Sequence, residues 1–70
     1  MRKPKQFKAR GYDGVFSPQR KALDIYEVDD QGRPMSLIKT FDRGVRNAAQ
    51  AESIFHTTIN AIAMSKLRRD

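Results

Sequence analysis

The 70-residue chain carries 14 Lys and Arg against 8 Asp and Glu, with no Cys and no Trp, for a formal charge of +6. That length makes one small domain that buries only about 60% of its unfolded surface. A single domain is expected in these residues, and their lack of Cys excludes both a disulfide scaffold and a thiolate zinc site within them.

No apolar run approaches the roughly 20 residues of a membrane span. The basic N-terminus is not followed by an apolar stretch, so no secretory signal is expected and a bacterial cytoplasmic or nucleoid location is. Stability must come from one modest core, and a homodimer would be a natural way to add burial.

The charge is not spread evenly. Residues 1–10 hold Arg2, Lys3, Lys5, Lys8 and Arg10 with no acid, which gives +5. Residues 66–70 hold Lys66, Arg68, Arg69 and Asp70, or +2, and the six bases and seven acids of residues 11–65 leave −1. A basic arm on a near-neutral body suits phosphate contact. It suits a solvated tail equally well. Residues 1–10 therefore read as a basic flexible arm, with Pro4 discouraging helix and Phe7 its one apolar anchor, from which part of the arm could order as a strand, and residues 11–70 as a single domain.

Gly11-Tyr12-Asp13-Gly14-Val15-Phe16 joins turn-prone glycines to β-favouring side chains, predicting a first strand from Tyr12 to Ser17 that Pro18 ends. Ala22 to Val28 is a second strand, with Leu23, Ile25 and Glu27 on one face and Asp24, Tyr26 and Val28 on the other. The cluster Asp29 to Pro34 is a turn in which Gly32 can take positive φ. Met35 to Phe41 closes a hairpin over residues 22–41.

From Val45 to Leu67 the chain has no Gly or Pro, and Val45, Ala48, Ala51, Phe55, Ile59 and Ile62 recur at helical spacing. This predicts one long amphipathic helix. Asp42, Arg43 and Gly44 supply its start signal, and Lys66, Arg68 and Arg69 favour the negative end of its dipole. The expected fold class is α+β: a three-stranded antiparallel sheet packed on one C-terminal helix, βββα. Ile25, Ile38, Phe41 and Val15 are the candidate sheet partners of Phe55 and Ile59.

Tyr12, Gly14 and Val15, then Thr40-Phe41-Asp42, then Ala48, Ala49 and Ala51 form a pattern over about residues 12–63 that resembles the Apetala/ethylene-response-factor DNA-binding domain. It is similar also to the arm-site-binding N-terminal domains of phage and transposon tyrosine recombinases. The resemblance implies a sheet that lies in the DNA major groove, backed by the helix. It also implies an accessory factor of a phage or other mobile element. Those families carry Arg and Trp on the exposed sheet face, because Arg pairs bidentately with guanine. The corresponding positions here are Asp13, Tyr26 and Leu37.

Other chemistries find little support. His56 stands alone, four residues after Glu52, and reads as an i,i+4 surface contact rather than a metal ligand. Asp24, Glu27, Asp29 and Asp30 read as turn and strand-edge residues rather than an acid/base pair. GYDG lacks the Lys and the strand–loop–helix order of a phosphate loop, and Ser17 and Ser53 have no nucleophile elbow. No catalytic residue, metal or cofactor is expected, and the protein is not expected to be an enzyme.

Two functions stay open. In the first, the protein binds double-stranded DNA through Arg2, Lys3, Lys5, Lys8 and Arg10 of the arm, with Arg20, Lys21, Tyr26, Arg33 and Lys39 on or around the sheet. In the second, it is a phage-type adaptor or inhibitor that binds a host protein through Tyr26, Val28, Met35, Leu37 and Ile54.

Overall fold

The computed structural model describes residues 3–67, with side chains described for residues 3–65. The elements in order are β1 (Lys5–Ala9), β2 (Tyr12–Ser17), β3 (Ala22–Val28), β4 (Pro34–Phe41) and α1 (Ala48–Leu67). Each strand pairs antiparallel with the next, so the sheet order is β1-β2-β3-β4. The α+β class and the C-terminal helix stand. The strand count does not: there are four strands rather than three, because Lys5–Ala9, expected to lie in the arm, is a strand.

The reason lies in the Arg10-Gly11 turn. Both residues take positive φ, 54° and 80°, and Ala9 faces Tyr12 across them. Two central residues with φ > 0 make a primed turn, whose twist matches that of the strands it joins. The Val28 amide donates to the Gly11 carbonyl at 3.0 Å, tying this turn to the end of β3. Only Phe7 of the five β1 side chains is fully buried. A single apolar residue among lysines leaves no alternation to read in the sequence.

The register sorts the side chains into two faces. Phe7, Gly14 and Ile25 form one row, and Lys5, Phe16, Leu23 and Phe41 the next, on the face that meets α1. Phe55 and Ile59 are fully buried against Leu23 and Ile25 in one cluster that also takes in Phe7, Tyr12, Phe16, Val45 and Ala51. Burying a side chain of this size contributes roughly 1.5–3 kcal/mol. Gly14 makes the close approach possible: a Cβ built there would stand 2.6 Å from Phe55 Cδ1. Phe7 adds a tilted ring contact to Phe55 with centroids 5.9 Å apart.

The core candidates divide. Ile25 is buried and Phe41 packs partly on the cluster. Val15 pairs with Gln6 and Asp24 and so lies on the opposite face, half-buried. Ile38 is 41% exposed and is no part of the core. It is the extra residue at an irregularity where Ile25 pairs with Lys39 and Tyr26 with Leu37; a second irregularity follows, with Met35 extra. The main packing of α1 is on β1, β2 and β3, so β4 is exposed along nearly all its length. Its bulges, Pro34 and Lys39 are features that discourage a further strand from pairing with an open edge.

The helix begins at Ala48, three residues after the expected Val45, and Asn47 rather than residues 42–44 sits at its cap. Asn47 Oδ1 accepts from the Gln50 amide at 2.8 Å, while Gln50 Oε1 accepts from the Arg46 amide at 2.9 Å. This is a reciprocal arrangement of the capping-box kind, displaced by one residue. The expectation for Arg68 and Arg69 at the far end lies outside the described residues, as does the side chain of Lys66.

Gly14→Ala is expected to destabilise the fold by about 1–3 kcal/mol, since the ring must shift to admit the methyl group. Urea unfolding followed by circular dichroism reads it. A midpoint equal to that of the wild type would show that Phe55 does not depend on the missing Cβ.

Candidate nucleic-acid interface

The turns at the two ends of β2 decide where the cations go. At the Ser17 end, Pro18 to Arg20 and Lys21, the latter with φ 50°, fold the chain back so that Ser17 faces Ala22. This sets Lys21 beside the beginning of β1 and the segment that leads into α1. Lys3, Lys5, Lys21 and Arg46 there line one cleft of about 280 Å³, whose walls are completed by Phe16, Pro18, Asn47 and Ala48. No acid lines it. None of the ion pairs among the described residues engages these four cations.

The remaining cations behave differently. Arg20 Nη1 lies 3.9 Å from Asp24 Oδ2. Arg33 Nε lies 3.7 Å from Asp29 Oδ2, and its guanidinium also donates to Gln31 Oε1. Asp29 is meanwhile the hub of the β3–β4 turn: its Oδ1 accepts from the Gln31 and Arg33 amides, both at 2.9 Å, and Gly32 takes φ 81°. Lys39 pairs with Ile25 and so belongs to the helix side of β4, with Nζ 5.3 Å from the Phe41 ring centroid. Arg2 lies outside the described residues.

The opposite, uncovered sheet face was expected to meet DNA. Its rows run Gln6, Val15, Asp24, Thr40 and then Lys8, Asp13, Tyr26, Leu37. Asp24 accepts from Thr40 Oγ1 at 2.8 Å, and Asp13 is buried between Lys8 and Tyr26. Two carboxylates in the middle of that face repel a polyanion. Lys8 is the one cation in these two rows.

Of the expected nucleic-acid contacts, the structure thus brings Lys3, Lys5 and Lys21 together. It holds Arg20 in an ion pair with Asp24 of β3 and Arg33 in one with Asp29 of its own turn, and it sets Lys39 and Tyr26 on opposite faces of the sheet. Arg46 was missed. In sequence it is one charge in a mixed stretch, and only the capped entry into α1 carries it to the cleft.

The residues of the alternative protein interface are also divided. Tyr26 and Leu37 share the outer face, where Leu37 is 56% exposed, and Met35 is 62% exposed nearby on β4. Val28 pairs with Pro34 at the end of the same hairpin. Ile54 instead packs partly against the helix-side core. His56 lies 3.9 Å from Glu52, the expected i,i+4 contact. Among the described residues no group of His, Cys, Asp and Glu could hold a metal ion. No helix of the described residues is long and apolar enough to cross a membrane.

No family model, curated protein or solved structure matches this chain.

Asn47→Ala removes the cap that fixes the cleft wall, and is expected to lower stability by about 1 kcal/mol. That corresponds to a drop of roughly 4–8 °C in melting temperature for a domain of this size. An unchanged melting curve would show that the cap hydrogen bond does not hold the start of α1.

Proposed function

We propose that the protein is a non-enzymatic nucleic-acid-binding accessory protein that grips the backbone of duplex DNA through the cationic cleft and the basic N-terminal segment. The observation that carries this reading is the convergence of Lys3, Lys5, Lys21 and Arg46, from three separate parts of the chain, on one cleft without an acid. Holding like charges together costs energy, and an anion offsets it. Phosphate oxygens are the anions a row of lysines and an arginine suits best: lysine acts as a movable point charge, and arginine offers a planar fork.

Such contacts position a protein on DNA without reading bases. Few groups with the geometry for base readout stand beside the cleft, so weak sequence preference and strong salt dependence follow. The sequence resemblance to phage and transposon DNA-binding domains agrees in ligand, and fits an accessory role in a mobile element. It differs in the surface used, since the exposed face of the sheet carries Asp13 and Asp24 centrally.

A second reading keeps a specific observation of its own. Leu37 and Met35 are more than half exposed beside Tyr26, an apolar patch of the kind that meets a protein partner. A host protein docked there would make the chain an adaptor or inhibitor.

Fluorescence anisotropy with random-sequence duplex DNA across a salt series separates the two. The wild type is expected to bind with a log–log slope of several units. Lys21→Gln with Arg46→Gln should lower that slope by about two, one for each lost phosphate contact, and weaken binding alike on all sequences. Absence of binding at low salt rejects the nucleic-acid reading and favours the protein partner. Loss of binding on Leu37→Asp, with the cleft variant unaffected, would move the interface to the sheet face.

A further inference from the structure

We infer that the bound polyanion runs lengthwise along the open edge of β1, from the cationic cleft to a second basic cleft at the other end of the strand. This rests on the nucleic-acid reading above and specifies the path of the strand on the surface. The second cleft, of about 290 Å³, is lined by Lys8, Ala9, Arg10, Gly11, Tyr12, Asp13, Val28 and Gly32. It sits at the Arg10-Gly11 turn, and the first sits where Lys5 begins the strand. β1 is therefore a bridge between two basic sites.

Three observations place the track here rather than across the sheet. Lys3, Lys5, Lys8, Arg10, Lys21 and Arg46 all line one cleft or the other, and none of the ion pairs among the described residues engages them. Arg20, next to Lys21 in the β2–β3 turn, and Arg33, in the β3–β4 turn, are paired with Asp24 and Asp29. β1 is also an edge strand, so nothing in the sheet covers its outer side. Asp13 is the one acid at either cleft, and it is buried with 7% of its surface exposed.

The geometry sets a length. From Lys5 to Ala9 the chain advances about 13 Å at about 3.3 Å per residue. Successive phosphates of one strand lie about 6–7 Å apart along its backbone, about twice what each advances along a duplex axis. The two clefts are then about two phosphate steps apart. A dinucleotide fills one cleft, whereas a strand of about four nucleotides reaches both and gains from the linkage. The shared ligand chemistry is a phosphodiester backbone, and either sugar supplies it.

The test is anisotropy with labelled homothymidine oligonucleotides of roughly two to ten nucleotides, homouridine oligonucleotides of the same lengths, and one long duplex. Affinity is expected to rise at least roughly tenfold as length passes about three nucleotides, and to level off beyond. Lys8→Gln with Arg10→Gln should abolish that step, while dinucleotide binding persists at the first cleft. Lys21→Gln with Arg46→Gln should weaken both, and circular dichroism confirms that each variant is folded. A smooth rise with no step, or a step that survives the Lys8 and Arg10 changes, overturns the β1 track while long-duplex binding shows the wider reading intact. If the wild type fails to bind the long duplex at low salt, the wider reading fails and the track with it. Equal steps with thymidine and uridine assign the contact to the backbone. A step with one sugar alone overturns a purely phosphodiester track.

Discussion

The Phe55 ring lies against the backbone of Gly14, in the space any other residue would fill with its Cβ. This contact sets the distance between helix and sheet. Because Gly14 pairs with Phe7 on one side and Ile25 on the other, the ring is centred over β1, β2 and β3, and α1 is held over those three strands. Ile59 and Ala51, one turn to either side of Phe55 on the same stripe, are completely buried with it. In a chain of 70 residues there is little other apolar surface to rely on, so a misplaced ring would cost a large share of the net stability.

The placement of the helix also determines what is left uncovered. With α1 centred over the first three strands, its capped start comes down beside the beginning of β1 and the β2–β3 turn. Arg46 is thereby delivered to Lys5 and Lys21. At the other side of the sheet β4 stands clear, exposed along most of its length, with bulges that spoil it as a template for another strand. The two edges of the sheet have opposite characters as a result. The β1 edge is cationic with its charges unpaired among the described residues, and the β4 edge is partly apolar and irregular.

Charge pairing sharpens that division. Two acids of the β3 and β3–β4 region are committed locally: Asp29 to the turn amides and Arg33, Asp24 to Thr40 and Arg20. Each of these interactions is partly exposed and contributes little stability on its own. Together they cancel the charges of Arg20 and Arg33 and leave unpaired cations along β1 and at Lys21 and Arg46. A net charge read over the whole chain conceals this, since it counts Arg20 and Arg33 equally with Lys5 and Lys21.

Helical spacing, β-favouring side chains and turn residues by themselves determined the helix stripe, the strand from Tyr12 to Ser17, the hairpin over residues 22–41 and the positive φ at Gly32, because each depends on neighbours within a few residues. The strand at Lys5–Ala9 was legible only as an option starting near Phe7: its side chains are mostly solvated, and its existence depends on pairing with β2 through a two-residue turn. The cap at Asn47 was obscured by Asp42 and Gly44, which offer an equally good local signal three to five residues earlier. Ile38 seemed a core residue from its hydrophobicity, but a bulge, which arises from the pairing of two strands, left it substantially exposed. The cationic cleft is the clearest case of what only tertiary structure decided. Lys5, Lys21 and Arg46 are separated by 16 and 25 positions in the chain, and side chains that far apart meet only after the sheet has closed and the helix has docked.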